Sequence, residues 1–205
     1  MGLMTARTAP PTALPPVDLP LDMLALGLLM RGPAHGYRLF SAYQVELGEI
    51  WTAGRSRFYG ALAELPRRRL ARAHLEPQAH RPARRTYTIT PLGRQRFLAW
   101  LHEPVTPLRA VRVVFLAKLR FFELLNLPRV ENLLSSQREV CRTGLEQLER
   151  RAASAAAGGN DHFGEILYAF RVYQARSVLD WLAWLARRRP TRRKGGIPES
   201  AKGSR

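Results

Sequence analysis

The hydrophobic positions along the chain fall into helical spacing almost throughout, interrupted once by a pair of strand-like segments. Leu21 to Met30 (LDMLALGLLM) is apolar nearly all round, the pattern of a helix buried on every side. Gly32-Pro33 breaks it, and a second helix is predicted over Ala34 to Leu47, with Tyr37, Phe40, Tyr43 and Leu47 in helical spacing. A third runs from Gly54 to Leu65, where Phe58, Leu62 and Leu65 form one inward stripe. At about 100° per residue, the opposite side carries Ser56, Gly60 and Ala63, flanked by Arg57 and Tyr59.

Leu70 to Glu76 and Arg84 to Ile89 are rich in strand formers, and the PQAHRPA between them carries two prolines, so the pair reads as a hairpin with a loose tip. Thr90-Pro91 supplies an N-cap and a first-turn proline for a fourth helix, with Leu92, Phe97, Leu98 and Leu101 on its inner side. Three short helices, a hairpin and another helix describe a winged helix-turn-helix. In that fold the small outer face of the third helix lies deep in a major groove, and a basic hairpin is the wing.

Beyond Pro104 the pattern is helical to Arg189. One helix spans Leu108 to Leu125, a second Arg129 to Ala157, and Gly158-Gly159-Asn160 ends the second. The last helix, Asp161 to Arg189, begins at an Asn160 or Asp161 cap. It spreads apolar side chains over more than half its circumference, more than one neighbouring helix covers. A symmetric exchange with a second subunit buries the rest, through Phe163, Ile166, Leu167, Phe170, Tyr173, Val178, Trp181 and Trp184. It also places two winged domains for half-sites about one DNA turn, roughly 34 Å, apart. A monomeric helical bundle is the alternative. The expected fold is mainly α, an N-terminal winged helix-turn-helix of three helices plus a β-hairpin wing followed by an α-helical dimerisation domain. Its parts are a disordered arm at 1–20, the winged domain at 21–103, the helical domain at 104–189 and a disordered basic tail at 190–205.

Charge sharpens this picture. The 205 residues carry a formal net charge of +17, and 30 of the 33 cations are arginine. Between Arg67 and Arg96 stand nine arginines, Arg81, Arg84 and Arg85 among them, against the single acid Glu76, so the hairpin region is attracted to a polyanion. The tail from Arg187 onward adds +7 and is either a salt-dependent DNA contact or a solvated end. With one cysteine, Cys141, there is no intrachain disulfide, which fits a reducing compartment; its place on a helical pattern makes it a packing residue. The first twenty residues lack the apolar core of a signal peptide, and the apolar run Leu108 to Leu127 holds five charges, too many for a membrane span. The expected location is the cytoplasm, with no membrane partner.

Catalytic patterns are missing. The histidines at 35, 74, 80, 102 and 162 make no HExxH, and there is no phosphate loop, no G-x-S-x-G and no Cys pair. No cofactor and no metal are expected; His74, His80 and Glu76 near the wing loop are the one weak cluster, and the plainer reading is exposed histidines.

The segments LALGLLMRGPAHGYRLF, Trp51, FYGALAEL and RRTYTITPLGRQRFLAWL together resemble the PadR family of bacterial transcriptional regulators over residues 21–103. The resemblance implies a homodimer that binds double-stranded DNA, usually as a repressor, in some members relieved by small aromatic or drug-like ligands. By position it implies that Tyr37 meets phosphate, that Arg55, Ser56, Arg57 and Tyr59 face DNA, and that Arg84 and Arg85 lie on the wing. Three positions depart from the family pattern. Gly54-Arg55-Ser56 stands where Ser-Pro-Gly is common, Gly60 where a proline follows the tyrosine, and Pro66 where a glutamate continues the helix. The first two alter the base-reading chemistry, and Pro66 is expected to kink or stop the helix at Leu65. The helical C-terminal region resembles more loosely the module of the virulence-activator AphA type. Trp51, Trp100, Trp181 and Trp184 are candidate walls of an aromatic-ligand pocket, core packing being the alternative.

Two functions from different classes remain. One is a dimeric DNA-binding regulator; the other is a non-DNA interaction or effector-binding helical dimer, or a basic RNA-associated protein, with a degenerate winged domain.

Overall fold

In the computed structural model, which describes residues 20–76, 84–106, 108–157 and 162–188, the all-apolar segment is α1 (Leu21–Leu29), with every residue but Asp22 buried. It can be apolar all round because it is walled in: α2 (Gly36–Leu47), α3 (Arg55–Arg67) and α4 (Pro91–His102) all pack on it. Met30 ends it, and Gly32 follows at φ 131, a backbone angle that a side chain strains against. The stretch expected to begin the second helix instead starts with a two-residue strand, β1 (Ala34–His35), and α2 begins at Gly36.

The wing consists of β2 (Ala71–Glu76) and β3 (Arg84–Ile89), antiparallel, with Ala73 opposite Tyr87 and Leu75 opposite Arg85. β1 adds to the outer side of β3, giving the order β1-β3-β2. The predicted wing tip, with Arg81 and His80, lies outside the described residues.

α3 does not stop at Pro66. Proline removes one N–H, yet the last turn closes without it: Arg68 N–H donates to Glu64 O, Arg69 N–H to Pro66 O and Leu70 N–H to Leu65 O. This is a Schellman ending, and its left-handed residue is Arg69 at φ 58 rather than the usual glycine. α4 starts as predicted, with Thr90 Oγ1 accepting from Gly93 N–H at 3.0 Å behind Pro91. Its inner face differs from the expectation. Phe97 and Leu101 are buried, whereas Leu92 is exposed and Gly93 lies inward, flush against the Leu70 carbonyl.

The helix predicted over Leu108 to Leu125 has three parts: a turn, α5 (Leu108–Ala110), a π-helical segment (Val111–Phe115) and α6 (Leu116–Leu124). It packs on the winged part. Phe121 meets Phe97 edge-on at 5.2 Å between centroids and fills the space over Gly27, Arg120 pairs with Glu46 of α2, and Lys118 donates to the Glu103 carbonyl at the end of α4.

The chain divides into two compact units between Leu133 and Leu134. The second holds most of α7 (Val130–Ala157) and all of α8 (His162–Arg187). Cys141 is buried beside Gln137, and burial pushes its thiol pKa up, so it is held as the unreactive thiol. An Arg176–Glu149 ion pair at 2.7 Å links α8 to α7. α8 buries Gly164, Val172, Ala175 and Leu182. No described helix is long and apolar enough to cross a membrane.

Candidate nucleic-acid interface

The placement of α3 begins with Tyr43. Its hydroxyl donates to the Trp51 carbonyl at 2.6 Å and accepts from Ala53 N–H at 2.9 Å, so the α2–α3 connection is pinned just before the helix starts at Arg55. Burial raises the phenol's pKa and keeps the donor proton in place. Phe58 then plugs into the pair formed by Phe40 (5.5 Å, edge-on) and Tyr43 (5.0 Å, stacked). Full burial of such a ring contributes about 2–3 kcal/mol, enough to hold the opposite face of α3 outward.

That outward face carries Arg55, Ser56, Arg57, Tyr59 and Gly60, all exposed. Gly54, the N-cap, supplies no side-chain acceptor, so the first-turn N–H groups add their partial positive charge to the two arginines. Ser56 and Gly60 leave a low surface; a Cβ at Gly60 would meet nothing within 4 Å. Ala63 continues the row half-buried, and at its end Arg67 is neutralised by Glu64 at 2.6 Å. Two members of the set are steered by α2. Arg55's guanidinium sits 5.5 Å over the Phe40 ring, and Tyr59 leans on Phe40 and on Gly36, where an added Cβ would stand 3.2 Å from its ring. Arg57, the second arginine of the face, is exposed as well.

Beside this helix, Tyr37 opens α2 with its ring 54% exposed, stacked on His35 at 5.8 Å and 11°. On the wing, Arg72 and Arg85 are exposed, opposite Thr88 and Leu75. Arg84 is in β3 opposite Glu76. Sequence reasoning missed two parts of this surface. One is the Tyr43 hydroxyl anchor, which a helical stripe alone presents as plain core. The other is β1, which is too short to show alternation.

Phe163, Ile166, Phe170, Tyr173 and Trp184 of the predicted dimer face are exposed on α8, whereas Leu167, Val178 and Trp181 are half-buried. The candidate ligand walls separate by role. Trp100 packs among Phe97, Phe121 and the Lys118 ammonium, 4.8 Å from the ring. An open cleft of about 530 Å³ lies elsewhere on the first unit, lined by Ile89, Thr90, Pro91, Arg94, Gln95 and Leu98. Among the described residues no group of three or more His, Cys, Asp or Glu is placed to hold a metal; His74 is on β2, and His80 lies outside the described residues.

Comparison with known proteins gives a likeness over the first unit. Residues 25–99 match the transcriptional regulator PadR-like family. The negative transcriptional regulator PadR of Bacillus subtilis is 27% identical over 173 residues, 80% of this chain and 93% of that protein. Over these residues the chain is similar to PadR-type transcriptional regulators. Among solved structures, the Bacillus subtilis PadR complex with operator DNA is 24% identical, with a TM-score of 0.40 over 82% of this chain and 97% of that one. The complex of the same protein with p-coumaric acid is 23% identical, with a TM-score of 0.37 over 85% and 97%. The matched residues run from within α1 through α2, α3 and the wing into α4.

Proposed function

We propose that this chain is a sequence-specific transcriptional regulator of the PadR type that binds double-stranded DNA as a homodimer and represses transcription. The observation that carries the reading is the outer face of α3, where Arg55, Ser56, Arg57, Tyr59 and Gly60 form a low, basic surface with no competing acid until Glu64. An α-helix with this profile fits a major groove, arginine reaching guanine edges or phosphate. Tyr37 and Arg85, both exposed, extend the same basic surface, and Arg81 and Arg84 join the proposed DNA contacts by their place in the sequence. Repression is supported by kinship with the Bacillus subtilis negative regulator. Residues 21–103 form the DNA-binding part and 104–189 the dimerising part in this reading.

Dimerisation is supported by the row Phe163, Ile166, Phe170, Tyr173 and Trp184 on α8. From Phe163 to Tyr173 the spacing of three and four residues is that of a helix seam, Trp184 follows about three turns further on along the same line, and Phe163 and Tyr173 are 73% and 70% exposed. Leu167, Val178 and Trp181 back this row. The length of α7 and α8 is the ground for placing the C-terminal part near the AphA-like type. A small aromatic ligand that relieves repression belongs to the proposal through the same kinship.

Fluorescence anisotropy on duplex DNA from the gene's own upstream region, against a scrambled duplex at two salt concentrations, tests the function. The expected result is a preference of about 10³ or more that survives the higher salt. Equal, salt-fragile binding to both duplexes rejects it for this site. RNA binding of equal strength favours a basic RNA-associated protein.

A further inference from the structure

Three DNA-facing elements meet at one tripeptide, His35-Gly36-Tyr37. Tyr37 starts α2. Gly36 is the seat of the Tyr59 ring from α3, too close for a side chain to be added without displacing it. His35 ends β1, and it reaches across the sheet to the wing: its Nδ1 lies 2.8 Å from Thr86 Oγ1. The two residues are also partners in the β1–β3 register, which consists of Ala34 with Tyr87 and His35 with Thr86. Thr86 is therefore the outermost residue of β3 that β1 holds. From Arg85 outward, β3 is paired with β2 alone.

We propose that His35 is a positioning residue for DNA binding: its hydrogen bond to Thr86 fixes the root of the wing against α2 and, through Gly36 and Tyr59, against the recognition helix. This rests on the DNA-binding reading above. A wing arginine and the α3 face engage one duplex together only if the angle between them is set in advance; otherwise part of the binding free energy goes into fixing it. Two backbone pairs make a short hinge, and the imidazole adds a side-chain tie beside it. The stacking of His35 on Tyr37 holds the ring plane so that Nδ1 meets the hydroxyl.

The hydrogen bond and the ring separate cleanly by substitution. Asn at 35 places an amide atom where Nδ1 stands, keeping the bond without the ring; Phe keeps the ring without the bond. Thr86→Val removes the hydroxyl at constant shape. The experiment measures affinity for the upstream duplex and the scrambled duplex, and amide exchange of residues 84–89, for the full chain carrying H35F, H35N, T86V and H35F/T86V. Loss of one hydrogen bond of about 1 kcal/mol corresponds to about fivefold weaker specific binding. H35F and T86V are expected to show that loss with faster exchange in β3 and nearly unchanged scrambled-duplex binding. The double variant is expected to be no worse than either single one, and H35N to lie close to wild type. Additive losses, an H35N as weak as H35F, or wild-type affinity in both H35F and T86V overturn the proposal. If wild-type protein fails to distinguish the duplexes, the regulator reading falls, and the exchange data still decide this one. Unchanged β3 exchange in both H35F and T86V then refutes it; faster exchange, restored in H35N, sustains it. T86V covers the case in which H35F fails to fold.

Discussion

Lys118 is 2% exposed, with its ammonium between the Glu103 carbonyl and the face of Trp100. Burial lowers its pKa from 10.5 to about 8, against the opposing pull of the Glu103 charge. The folded state thus holds this proton more weakly than the unfolded chain does. Stability is accordingly lower and flat below pH 8, rises between pH 8 and 10.5 as the unfolded chain alone keeps the proton, and levels off above. A melting temperature rising by on the order of 5 °C across that window in wild type, and flattened in Lys118→Met, is the expected calorimetric result; parallel curves count against it. Arg69 gives a second residue-scale expectation. It occupies the left-handed position that ends α3, which glycine takes without strain. Arg69→Gly should raise unfolding free energy by about 1 kcal/mol in urea melts; a loss would show that the arginine side chain outweighs its backbone strain.

Among the elements, α3 and the wing are expected to fail differently. Arg57→Ala removes a cation of the face proposed to enter the groove and should weaken the upstream duplex by about 1–3 kcal/mol while relaxing preference for it. Arg85→Ala, on the wing, should weaken all duplexes alike and reduce the slope of log affinity against log salt by about 1. The same anisotropy titrations at several salt concentrations check both, and interchange of the two phenotypes would reassign helix and wing. How far these elements can be read from sequence follows from how periodic they are. α1, the Phe58-Leu62-Leu65 stripe and the Thr90-Pro91 start of α4 each repeat or announce a local rule, and each was legible. β1 has two residues and exists only because β3 lies beside it, so no window along the chain contains its cause. Leu92 was misplaced because Gly93, apolar by absence rather than by content, takes the inward position. Pro66 was read by its missing N–H, whereas the Schellman bonds of Arg69 and Leu70 close the turn around it.

For the whole molecule, the exposed seam on α8 is the feature with the largest consequence. Phe170 is 58% exposed at its middle, and a symmetric pair places it near its own copy. Phe170→Glu should convert dimer to monomer by sedimentation, with about tenfold or greater loss of affinity for a two-half-site duplex and much less for a single half-site. An unchanged dimer would move the interface elsewhere. The candidate surface for DNA was readable from the sequence because arginine density and a small-residue helix face are local. The tie that orders its parts was not, since His35 and Thr86 are 51 residues apart in the chain.

The π-helical segment Val111–Phe115 has a further consequence, for chain length. A π turn is an α-helix holding one residue too many, so this helix carries a spare. Arg112 is the exposed member of the segment, between buried Val111 and Val113. Deleting it should let the helix close as α, with Phe121 still over Gly27 and Ala110 and Val111 still buried. The position is therefore one where the chain can shed a residue and keep the segment leading into α6 in place, without rebuilding its core.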